Sequence, residues 1–163
     1  MVIATKERKK RASVEELLLA GISAIADRGI DHVSVSDVAK LSEVSRPTFY
    51  TYFGDMPGFF AEIWLRYGRE WLDALADETG ALEPKLDQAM LEIVAAGRRM
   101  PQVFEVLQPD FVKWWRERTK GNDIVAQRLV WDLGFLLGYK LSSRVSSKAH
   151  LGIEIRRYLD LPN

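Results

Sequence analysis

The chain has 163 residues, 47% of them apolar, which is enough to bury a core in one or two domains. Its 23 basic and 23 acidic side chains cancel, which excludes a uniformly basic nucleic-acid coat and leaves only a local concentration of charge for any DNA contact. Cysteine is absent, the N-terminus is charged rather than apolar, and no apolar run reaches the ~18 residues of a membrane span, so a cytoplasmic protein without disulfides, thiolate metal sites, signal peptide or membrane contact is expected.

The first such concentration comes at once. Lys6, Arg8, Lys9, Lys10 and Arg11 stand against the single acid Glu7, and residues 1–12 read as a flexible basic arm, either a solvated tail or a DNA-contacting segment. Val14, Leu17, Leu18, Ile22, Ile25 and Ala26 then recur at spacings of three and four, the stripe of a first helix that Gly29 stops after Arg28. Ser34, three residues before Asp37, starts a short second helix with a capping-box pattern, and Val35, Val38, Ala39 and Leu41 supply its apolar positions. A turn follows at 42–44. Ser45 caps a brief third helix with Pro47 in its first turn, where a missing N–H is harmless, and Gly54 ends it.

Asp55 caps a long fourth helix with Phe60, Ile63, Trp64, Tyr67, Trp71 and Leu75 on one side, stopping before Gly80. Pro84 opens a fifth with Leu86, Met90, Ile93, Val94 and Gly97 in register, and Pro101 breaks it. A short helical piece around Phe104 and Leu107 precedes Pro109, with a separate helix over 111–118. A turn at 121–123 leads into a long helix over 124–143, and Ser146 or Ser147 caps a last one striped by Leu151, Ile155, Tyr158 and Leu159. The expected fold is all-α: the arm, a three-helix helix-turn-helix domain over 13–54, and a helical effector-binding and dimerisation domain over 55–163.

Two short helices joined by a tight turn are the plan of a DNA reader, in which one helix braces the next and the N-terminal residues of the second enter the major groove. In the third helix Phe49 and Phe53, four apart, face inward, leaving Arg46, Thr48, Tyr50 and Thr51 outside. An arginine there can reach guanine O6 and N7, a threonine can offer methyl or hydroxyl, and tyrosine hydroxyls suit phosphate oxygens. A helical hairpin used only for packing is the alternative, and it leaves Arg46, Tyr50 and Tyr52 unexplained.

The run Val35-Ser36-Asp37-Val38-Ala39, followed by Val44-Ser45-Arg46-Pro47-Thr48-Phe49-Tyr50-Thr51-Tyr52-Phe53, resembles the signature of the tetracycline-repressor-like (TetR) family. The resemblance covers roughly residues 13–65 in detail and the remainder only in its helical layout. It implies backbone contacts from the positions of Tyr50 and Tyr52, and base or phosphate contacts from those of Ser45, Arg46, Thr48 and Thr51. Together with Pro47, Ser34 and the arm residues Lys9, Lys10 and Arg11, these form the expected DNA-binding set. Two positions depart from the family pattern: Glu43 stands at the usual turn glycine, and Met56 at the usual phosphate-binding lysine. Both weaken the electrostatic part of binding.

A reader of this class works as a two-fold dimer on a palindrome. The run over 129–139, apolar nearly all round apart from Asp132, points to burial on more than one side, and Gly134 and Gly138 leave a smooth strip for close helix approach. Leu133, Gly134, Leu137, Gly138, Leu151, Ile155 and Tyr158 are the expected dimerisation residues, with a purely intramolecular role as the alternative. The resemblance also implies a small-molecule pocket in the second half. Trp64, Trp71, Phe104, Phe111, Trp115, Trp131 and Phe135 would suit an apolar or aromatic effector, or belong to plain core. No cofactor is implied. His32 and His150, the only histidines, lie in neither metal-ligand nor triad spacing, and no phosphate-binding glycine loop is present, so an enzyme is not expected. The expected function is a ligand-responsive repressor binding a palindromic operator as a dimer. The competing class is a dimeric interaction protein of the same fold with weak or lost DNA binding.

Overall fold

The computed structural model describes residues 2–76, 82–97 and 99–119. They form six α-helices and one 3₁₀ turn with no strand among them: α1 (Val2–Arg28), the turn Ile30–His32, α2 (Val35–Ser42), α3 (Arg46–Phe53), α4 (Met56–Ala76), α5 (Pro84–Gly97) and α6 (Pro101–Thr119).

Residues 2–12, expected as a flexible arm, continue α1 as helix. The segment contains neither glycine nor proline and is rich in Ala, Lys and Arg, which lose little rotamer freedom in a helix. At the other end Gly29 adopts φ 83°, and its N–H donates to Ile25 O at 2.8 Å. The capping box at Ser34 forms as expected: its Oγ accepts from Asp37 N, while its own N–H donates to Asp37 Oδ2 at 3.0 Å. One expectation fails in α2. Leu41 is not a core position but 53% exposed, and Ser42 is buried instead. Positions 35, 38, 39 and 42 follow the three-and-four spacing of a single helix face and 41 does not. The buried hydroxyl of Ser42 is satisfied by Val38 O at 2.8 Å.

The first three helices close on α4 through aromatic packing. Phe49 is fully buried, and its ring centroid lies 5.1 Å from that of Phe53 and 5.0 Å from that of Phe59. Leu17, Leu18, Ile25, Val38 and Ile63 complete this core. Gly21 makes the approach possible, since a Cβ there would lie 2.3 Å from Phe59 Cζ. Farther along, Tyr67 donates to Glu15 Oε1 at 2.7 Å, tying α4 to α1. Burial, and then the neighbouring carboxylate, push its phenol up to about 12.

Beyond the head, α4, α5 and α6 enclose Trp64, Trp71, Phe111, Trp114 and Trp115. Two indole N–H groups bridge helices, Trp71 to Asp87 Oδ1 at 3.0 Å and Trp114 to Asp73 Oδ1 at 2.8 Å. Two separate helical pieces were expected around Pro109, but α6 runs unbroken through it. An internal proline costs a helix ~3 kcal/mol. Leu107, Phe111 and Trp114 on one face are each nearly fully buried, and each contributes about 1.5–3 kcal/mol, which outweighs that cost. The expected helix over 124–143 and the last helix after Ser146 or Ser147 lie outside the described residues, as do Trp131 and Phe135 and the dimerisation set Leu133, Gly134, Leu137, Gly138, Leu151, Ile155 and Tyr158.

Candidate nucleic-acid interface

The geometry of α3 is set at its two ends. Ser45 is its N-cap, accepting from Thr48 N at 3.3 Å, and Gly54, at φ 75°, closes it with an N–H donated to Tyr50 O at 3.0 Å. Phe49 turns inward, so the residues around it are sorted by helix phase. Ser45, Arg46, Pro47, Tyr50 and Thr51 are exposed, while Thr48 and Tyr52 are half-buried.

Arg46 and Tyr50 are one turn apart on the outer ridge. Arg46 makes no ion pair among the described residues, and the Tyr50 ring stands edge-on to Phe49 at 5.8 Å. The threonines are partly engaged already. Thr48 Oγ1 lies 2.7 Å from Ser45 Oγ, and Thr51 donates to Pro47 O at 2.9 Å, which leaves its methyl group and oxygen lone pairs outward. Tyr52 lies against Phe53 at 6.1 Å, packed partly on the core. The Ser34 hydroxyl is committed to Asp37 Oδ2 at 2.6 Å, so its first task is the cap of α2. That carboxylate also accepts from Arg28 Nη1 at 2.8 Å. The Ser34 hydroxyl and backbone N–H, followed by Arg28, hold Asp37 down at about 2.

Both departures from the family pattern have a structural form. Glu43 is the C-cap of α2 at φ 56°, ψ 17°, the left-handed conformation that favours glycine, and its side chain is exposed. Met56 is half-buried against the core, so it offers no cation at the start of α4. Lys40, exposed in the last turn of α2, is a further cation of the head that went unpredicted, because a lysine there serves a helix C-terminus equally well.

The head itself carries more negative than positive charge. Residues 13–54 carry only Arg28, Lys40 and Arg46 against six carboxylates, whereas residues 1–12 carry five cations against one acid. With Arg28 paired to Asp37, the positive charge lies in Lys40 of α2, in Arg46 of α3 and in the helical basic extension that holds Lys9, Lys10 and exposed Arg11.

Among the expected effector residues, Trp64, Trp71, Phe111 and Trp115 are buried together between α4, α5 and α6, with Phe104 half-buried beside them. The Trp64 and Trp71 rings are 6.2 Å apart in an edge-to-face arrangement. The indole nitrogen of Trp64 is buried without a hydrogen-bond partner.

Residues 17–63 match the family model for bacterial regulatory proteins of the tetR family. No curated protein matches the chain. Among solved structures, a TetR transcriptional regulator from Rhodococcus sp. RHA1 is 20% identical, with a TM-score of 0.63 over 94% of this chain and 95% of that one. The multidrug binding protein EbrR, complexed with imidazole, is 14% identical, with a TM-score of 0.60 over 91% and 90%. The fatty acid degradation regulator FadR from Bacillus halodurans is 15% identical, with a TM-score of 0.53 over 91% and 93%. At these identities the likeness is one of fold. Residues 17–63 therefore belong to the tetR family of bacterial regulatory proteins, and the chain is similar in fold to TetR-family transcriptional regulators.

Proposed function

We propose that the chain is a dimeric, sequence-specific DNA-binding regulator of transcription, with α3 as its reading helix. The observation that supports this best is the pairing of Arg46 and Tyr50 on the outer ridge of a short, doubly capped helix whose inner face is sealed by Phe49. Arginine at the first turn suits the O6 and N7 edge of guanine, and the tyrosine hydroxyl one turn on suits a phosphate. Ser45, Pro47, Thr48, Thr51, Tyr52 and Ser34 flank them, and the basic extension through Lys9, Lys10 and Arg11 supplies the charge that the head lacks. Each protomer would place residues 45–52 in one major groove of a palindrome. Binding of an apolar or aromatic effector near Trp64, Trp71, Phe104, Phe111 and Trp115 would change the spacing of the two heads and release the DNA, which makes the regulator a ligand-responsive repressor.

The acidic head, with Glu43 and Met56, favours a second reading: a dimeric interaction protein of the same fold that has lost DNA binding. A mobility-shift assay on the DNA flanking the chain's own gene separates them. Sequence-specific retardation that Arg46→Ala weakens by about 1–3 kcal/mol of discrimination, without lowering the melting temperature, supports the first. No retardation at low salt supports the second.

A further inference from the structure

The head is joined to the following helices by the α3–α4 turn, by the buried core in which Phe59 and Ile63 of α4 meet α1 and α3, and by side-chain bonds between residues far apart in the chain. From α5, Lys85 Nζ reaches Ser23 Oγ at 2.8 Å and Asp27 Oδ2 at 2.9 Å. Glu92 Oε2 accepts the N–H of buried Ile30 at 3.3 Å. At the α5–α6 corner, Arg99 Nη1 lies 3.0 Å from Asp31 Oδ2, and Gln102 Nε2 donates to Asp55 Oδ2 at 3.4 Å.

The two corner contacts bracket the helix-turn-helix along the chain. Asp31 lies in the 3₁₀ turn that leads into α2, and Asp55 follows directly on Gly54, the residue that closes α3. Asp55 is itself held firmly. Its Oδ1 accepts from Gly58 N at 2.8 Å, and Gly58 has no room for a Cβ, which would lie 2.4 Å from Phe53 O. A pull on Asp55 therefore reaches the end of α3 without slack. Exposed ion pairs add little to stability, so the weight of this arrangement lies in direction. The buried packing of α1 and α3 on α4 and α5 holds the head in place, and these two attachments add a directional constraint at its surface.

We infer that Arg99 and Gln102, backed by Glu92, are positioning residues for DNA recognition. The α5–α6 corner is a two-point seat for the head, and the tilt of α3 follows the position of that corner. This rests on α3 being the DNA-reading helix, and the test separates the two. Because the chain has no cysteine, single cysteines at exposed Ser36 and Glu105 accept spin labels cleanly, and pulsed electron resonance then reads the distance between head and α6 in the full chain. Arg99→Ala with Gln102→Ala should broaden that distance distribution while leaving helix content unchanged. Affinity for a duplex selected from a random pool should fall about tenfold, with affinity for an unrelated duplex unchanged, an ordinary size for residues that touch neither ligand. The exchange Asp31→Arg with Arg99→Asp should restore the narrow distribution and the affinity that Arg99→Asp alone loses. An unchanged distribution overturns the seat, and a broadened one with undiminished specific affinity overturns its role in recognition. If the unaltered chain retains no selected duplex, the DNA-reading interpretation fails, and the distance measurement decides the seat by itself.

Discussion

Replacing Glu43 with glycine acts on two properties of the head at once, and each has a calculable sign. At φ 56°, ψ 17° the residue sits in the left-handed region, which costs a side-chain-bearing residue roughly 1–2 kcal/mol. Glycine removes that cost but surrenders about 0.5–1 kcal/mol of extra freedom in the unfolded chain. The exposed Glu43 side chain makes no hydrogen bond or ion pair among the described residues, so nothing else is lost. The net is a gain of about 0.5–1 kcal/mol, or a rise of about 1–4 °C in melting temperature for a chain of this size. Deleting a carboxylate three residues before Arg46 also removes repulsion from phosphates, so DNA affinity should rise, most clearly at low salt. Glu43→Gln separates the two effects, since it discards the charge and keeps the strain. It should raise affinity with little change in melting temperature. Thermal denaturation followed by circular dichroism, with fluorescence anisotropy on a labelled duplex, reads both quantities. A lower melting temperature for Glu43→Gly, or an equal rise for Glu43→Gln, would refute the strain argument.

Three further outcomes are expected. Gly21→Ala forces a methyl into the space of the Phe59 ring and should destabilise by about 1–3 kcal/mol, read as a lower urea midpoint with an unchanged slope. Asp37 is held at about 2 in the folded protein against 3.8 ordinarily, so its capping bonds stabilise the fold above about pH 4, and that contribution drains away as pH falls toward 2. Asp37→Asn should flatten this acid limb of the stability curve, and an unaltered limb would place the dependence elsewhere. Deleting residues 1–11 should weaken DNA binding at moderate salt and reduce the slope of log affinity against log salt, because the remaining head carries twice as many carboxylates as cations. An undiminished slope would remove the extension from the interface.

What the amino-acid sequence determined by itself was everything that acts within a helical turn or two. The Ser34–Asp37 box, the Ser45 cap, the stops at Gly29 and Gly54, and the inward pairing of Phe49 with Phe53 depend on spacings of three or four residues, so they could be read in order along the chain. Even so, the α2 register went to Ser42 rather than to the more apolar Leu41, because a hydroxyl that finds Val38 O can be buried where phase demands it. The tertiary structure decided the rest. Pro109 stays inside α6 because the aromatic side chains beyond it are buried against α4, which local propensity does not register. The attachments of Glu92 to Ile30, Arg99 to Asp31 and Gln102 to Asp55 join residues 47 to 68 positions apart. No periodicity encodes such pairs. They exist only once α5 has packed along α1 and brought the α5–α6 corner against Asp31, ahead of α2, and Asp55, after α3.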